Sequence, residues 1–109
     1  MEVLDRFGWH LVTAEKLKEI RSKLGDFESM TWSDILVTGK KRNHSIPIPD
    51  LIPEARRWLE RKRLLLEKMV SLRLSGQERV WGYLAEQGVF VLLWWDPEHE
   101  VCPSGLKHT

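Results

Sequence analysis

MVSLRLSGQERVWGYLAEQGVFVLLWWDPEHEVC, running from Met69 to Cys102, is the stretch whose reading decides the fold. Leu72 and Leu74 alternate with Arg73, and Ser75-Gly76 then breaks the run, which predicts a strand entering a tight turn. In the next run, Arg79, Trp81 and Tyr83 fall on one face of a second strand, with Val80 and Leu84 on the other. Ala85 to Gly88 supplies another turn. Val89 to Trp95 is continuously apolar and rich in β-branched and aromatic types, as expected of a central strand covered on both faces. Asp96-Pro97 ends it, because proline cannot donate to a ladder. A three-stranded meander is therefore expected. Gly82 within it marks a bulge or a close approach of backbone.

Upstream, Ser45-Ile46-Pro47-Ile48-Pro49 alternates apolar residues with prolines, so a strand there must lie at a sheet edge. Pro53 suits the first position of a helix. From it, Ala55, Trp58, Leu59, Leu65, Leu66 and Met69 form an apolar stripe, with Arg56, Arg57, Arg61 and Arg63 on the remaining faces. This predicts one long basic helix. Nearer the start, Thr13 caps a helix that carries Leu17, Ile20 and Leu24 and stops at Gly25. Thr31-Trp32-Ser33-Asp34 has the form of a capping box opening a short helix with Ile35 and Leu36, ended by Gly39. Trp9, Leu11 and Val12 are expected to pack on the elements after them in the chain, and Pro103 to Thr109 to form a surface tail. The whole reads as one α+β domain over residues 1–109. N-terminal helices and a long helix pack on a small antiparallel sheet.

The formal charge of +1 conceals a pattern, with nets of −2 over residues 1–39, +5 over 40–63 and −2 over 64–109. A local basic patch of this kind holds a polyanion at one place, and the molecule as a whole lacks the field of a general nucleic-acid binder. Cys102 is the only cysteine, so no intramolecular disulfide forms and a reducing, cytoplasmic setting is expected. No apolar run approaches the ~20 residues of a membrane span. Glycine-rich phosphate loops, nucleophile elbows and dinucleotide fingerprints are absent.

From His44 to Val101 the order of elements resembles the RelE/ParE/HigB-like toxins of bacterial toxin–antitoxin pairs. The matching stretches are HSIPIPDLIPEARRWLE for strand into helix, SLRLSGQERVWGY for two strands, and GVFVLLWWDPEHEV for the last. The resemblance divides the chain into a helical extension over 1–40 and a RelE-like core over 44–102. It implies RNA binding and metal-independent ribonuclease chemistry of the mRNA interferase type, with no cofactor. An antitoxin protein would be the partner, and RNA or the ribosome the target. Departures are the N-terminal forty residues, a single helix where the family has a hairpin of two, and no strand lysines matching those some members use. Arg79 is carried over from the family's middle-strand arginine.

RNA cleavage of this kind needs a base for the 2′-hydroxyl, an acid for the leaving oxygen and cations for the phosphate. Arg79 is a phosphate clamp, with Arg73 beside it on the same face. His99, whose ordinary pKa is ~6.5, is the acid or base, with His108 and Lys107 as second choices. Trp81 and Tyr83 would flank Arg79 as a stacking platform for unpaired bases. Lys41 and Arg42, in the basic loop 40–44, add RNA contacts. The competing reading is a non-catalytic interaction module in which the N-terminal helices cover this face and Arg79 merely pairs with an acid. A third is a metal site, since Asp96, His99, Cys102 and His108 lie within thirteen residues.

Overall fold

The computed structural model describes residues 7–39 and 42–102. Its centre is a four-stranded antiparallel sheet in the order β1 (His44–Pro47), β2 (Lys68–Ser75), β3 (Glu78–Leu84), β4 (Phe90–Asp96). The expected three-stranded meander is thus extended by the proline-bearing strand, which lies at an edge of the sheet formed by the described residues, pairing with β2 from His44↔Ser71 to Pro47↔Lys68. The run Val89 to Trp95, expected to be central, is instead the other edge among the described residues, where β4 pairs only with β3. Its apolar character is explained by partial cover on both faces, which leaves Leu92 and Val89 exposed.

Two helices cover opposite faces. α1 (Ala14–Glu28) starts at Thr13, whose side chain accepts from the Lys16 amide. It does not stop at Gly25. Nothing lies within 4 Å of a Cβ at that exposed position, and Phe27 beyond it still packs against the core, so continuing buries more than stopping. The capping box forms as predicted, the Thr31 amide donating to Asp34 Oδ2 at 3.0 Å and the Asp34 amide to Thr31 Oγ1 at 3.0 Å. The turn it opens is π-helical over Asp34–Thr38, closed at Gly39. With α1 it buries Ile20 and Ile35 against Val70, Leu72, Leu74 and Val80.

α2 (Pro53–Arg61) lies over the other face, burying Ala55 and Leu59 against Ile46, Met69, Trp81 and Trp94. The predicted long helix ends early. Arg63 takes the left-handed conformation at φ 57°, and the Leu64 amide reaches back to the Leu59 carbonyl at 3.0 Å, a helix stop made without glycine. Leu65 is consequently 95% exposed, and Met69 belongs to β2. Phe7 is buried on the α2 face, whereas Trp9 and Val12 pack on the α1 face. The N-terminal segment therefore passes from one side of the sheet to the other.

Gly82 marks a bulge. Register runs Trp81↔Trp94 and then Gly82↔Leu92, leaving Leu93 as the extra residue. A Cβ at Gly82 would collide with the Val91 carbonyl oxygen and the Phe90 ring. The close approach needs the missing side chain. Gly82→Ala is accordingly expected to lower stability by about 3 kcal/mol, read as a reduced midpoint in urea unfolding; an unchanged midpoint would contradict this packing.

Candidate functional site

α2 covers only part of its face. At the other end, towards the β2–β3 turn, the row of side chains is Arg73, Arg79 and Asp96. Arg73 and Arg79 are direct cross-strand partners, and Asp96 is opposite Arg79 on β4. Like charges set opposite each other destabilise a sheet, so this pair is not explained by strand pairing. Both guanidinium groups lean on one acceptor, the Gly76 carbonyl, which takes Arg73 Nε at 3.1 Å and Arg79 Nη1 at 2.8 Å. Gly76 provides it from a left-handed turn at φ 52°. Arg79 Nη1 also donates to the Glu78 carbonyl at 3.2 Å, and Arg79 Nε is buried without a hydrogen-bond partner. Burial, and then the neighbouring Arg73, make the Arg79 guanidinium easier to deprotonate than a free arginine, with Asp96 opposing them. It nevertheless remains a cation at neutral pH.

Asp96 is fully buried. Its Oδ2 accepts from Trp81 Nε1 at 3.1 Å and from the Val101 amide at 3.0 Å, and its Oδ1 accepts from the Glu100 amide at 2.8 Å. These bonds fold the chain back after Pro97, and His99, at φ 58°, occupies the bend. Residue 99 is thereby carried to the arginines. Its pKa is lowered by burial and by the Arg79 and Arg73 charges, while Asp96 pulls the other way. Three cationic or titratable groups predicted from separate strands and a loop are therefore brought within electrostatic reach of one another.

Other predicted members of the site lie elsewhere. Trp81, expected on an open stacking platform, is wholly buried beneath Ala55 and Leu59 of α2, its N–H spent on Asp96. Tyr83 is half-buried and packs on the same core. The helix closing over these two residues is α2, aided by Phe7, Val101 and Cys102; α1 covers the opposite face. Arg42 is exposed and lines a groove that also reaches Arg73. Lys41, Lys107 and His108 lie outside the described residues.

For the metal reading, Cys102 is sealed in the α2-side core, where burial first, then Asp50 and Asp96, push its thiol pKa up. Among the described residues no three His, Cys, Asp or Glu side chains are grouped to hold an ion. No helix among them is long and apolar enough to cross a membrane. Sequence reasoning missed the structural role of Asp96, for which the signal was an Asp-Pro at a strand end followed by amides in need of acceptors. Comparison with protein-family models, with curated proteins and with solved structures gave no match.

Two consequences are measurable. Trp81→Phe removes one donor from a buried carboxylate and is expected to cost about 1–3 kcal/mol in denaturant unfolding; no loss would mean that the Trp81–Asp96 bond does not matter. Because the folded-state pKa of His99 lies below its unfolded value of ~6.5, its contribution to stability is complete above that pH and is lost as pH falls through the lower folded value. His99→Gln should therefore flatten the acid limb of the stability–pH curve, and an unaltered limb would contradict the assignment.

Proposed function

We propose that the protein is a RelE-like, toxin-type RNA-binding protein that cuts RNA without a metal at the end of the sheet left open by α2. The observation that carries this reading is the opposed Arg73–Arg79 pair, with His99 in a bend within reach of both charges. Two guanidinium groups held on one carbonyl form a fork for the non-bridging oxygens of a phosphodiester, and a phosphate there relieves their mutual repulsion. His99, kept neutral by burial and by the arginine charges, is in the form that accepts a proton.

The chemistry is an internal transesterification. His99 takes the proton of a 2′-hydroxyl, the 2′-oxygen bonds to phosphorus, and the bond from phosphorus to the 5′-oxygen breaks. That oxygen leaves with a proton from solvent, giving a 2′,3′-cyclic phosphate and a 5′-hydroxyl, and the imidazolium returns its proton to water. Arg73 and Arg79 stabilise the charge gathering on the phosphoryl oxygens. An antitoxin protein that neutralises these cations is the partner this reading implies, and the cytoplasm the setting.

The burial of Trp81 bears on the alternative of a non-catalytic interaction module, because the aromatic groups next to Arg79 serve the core instead of a base. End-labelled single-stranded RNA decides between them. Arg79→Ala should weaken binding at least tenfold and reduce the slope of log affinity against log salt by about one. His99→Gln should slow appearance of the cyclic-phosphate product by about 100-fold or more. With wild type, the rate should hold below pH 6.5 before falling as the imidazole protonates. RNA that is bound but never cut would leave the interaction module, and no RNA binding would remove the proposal.

A further inference from the structure

Beyond Arg73, away from Arg79, a groove of about 560 Å³ runs between the second half of α1, the π-helical turn and the end of β2. Its volume lies within the ~300–1,000 Å³ typical of small-ligand sites. The lining is mixed. Phe27 and Met30 provide an aromatic ring and a thioether, Lys23 and Arg42 set cations around them, and Arg73, whose guanidinium is held on the Gly76 carbonyl, borders the groove at the end of β2. Two carboxylates are present and they differ. Asp34 is committed to the capping box through the Thr31 amide, whereas Asp26 is exposed, and no hydrogen bond or ion pair of its side chain is present among the described residues.

One wall of the groove is fixed in advance. Asn43 is buried, donating from Nδ2 to the Ile35 carbonyl at 3.3 Å and accepting the Arg73 amide at 2.9 Å, so it pins the π-helical turn to β2. At Gly39 a Cβ would stand 2.7 Å from the Ile35 carbonyl oxygen, so the turn closes as tightly as backbone permits. A preformed wall reduces the ordering cost of binding.

We infer that this groove holds one unpaired guanine of the bound RNA, with its adjoining phosphate between Arg73 and Arg79. The inference rests on the RNA reading above. Arg73 is the link, since it belongs both to the groove and to the opposed pair. The ring and thioether receive the face of a base, as aromatic and sulfur groups do at single-strand sites. Asp26 selects among bases. An ionised carboxylate only accepts, and guanine alone offers two adjacent donors on its Watson–Crick edge, at N1 and N2. Adenine and cytosine put an acceptor next to their amino group, and uracil flanks its one donor with two acceptors, so each turns at least one lone pair towards the carboxylate. Lys23 and Arg42 take the next phosphate along the strand.

The test uses the full chain and fluorescently labelled hexamers, one all-adenine and one with a single internal guanine, followed by anisotropy, with GMP as a separate probe. The guanine hexamer should bind about tenfold more tightly, and Asp26→Ala, at an exposed helix position, should bring the two hexamers to the same affinity. Equal binding of both hexamers by wild type, still lost in Arg79→Ala, would overturn the groove assignment and keep the RNA reading. Failure of both hexamers to bind would overturn the two together. GMP binding as tightly as the guanine hexamer, and independently of Arg79, would make the groove a site for free nucleotide and overturn its place along an RNA strand.

Discussion

A single buried carboxylate joins the core of this protein to its charged end. Asp96 sits at the last position of β4 with no exposure to solvent, a costly place for an ionised group unless its lone pairs are used. An indole N–H and two backbone amides use them. The indole belongs to Trp81, one of two buried tryptophans of the α2-side core, and the amides belong to the bend that carries His99. The same three hydrogen bonds thus tie the core beneath α2 to the bend that carries His99.

The sheet explains why the charged end is open. It is covered on one side by α1 and the π-helical turn and on the other by α2, but α2 is nine residues long. A helix of that length spans about 14 Å at 1.5 Å per residue. The register rows of Met69 and Trp81 lie beneath it, and the row of Arg73, Arg79 and Asp96 lies at the far end of the same face. The left-handed Arg63 ends α2, and the chain then enters β2 at Lys68, at the end of the sheet away from Arg73. Exposure of Leu65 is the visible cost of the early stop.

The opposed arginines gain no stability from each other, and the structure manages their repulsion locally. One carbonyl receives both, a carboxylate lies across from one of them, and the imidazole between bend and strand is shifted toward its neutral form. An added negative charge would lower the energy of the two guanidinium groups, while the Asp96 carboxylate opposes it. The groove beyond Arg73 extends the same electrostatic surface around the edge of the sheet, where β1 has ended and β2 continues.

What the sequence determined by itself was whatever depends on neighbours in the chain. Period-two alternation placed β2 and β3, proline placed β1 at an edge, and Thr13 and the Thr31–Asp34 pair began their helical segments, whereas the pairing of Arg73 with Arg79 was set by the hairpin register, which shifts between Arg73 and Ser75. The tertiary structure decided the rest. An apolar run such as Val89 to Trp95 reads the same in a central strand and in an edge strand covered from both sides, because periodicity records burial and not the number of paired neighbours. The stop after Arg61 depends on a left-handed conformation at a non-glycine residue, which no residue type announces. Trp81 could serve the core or a ligand equally well until α2 was seen to lie over it, and only the folding of the chain around Asp96 carried His99 to the arginines.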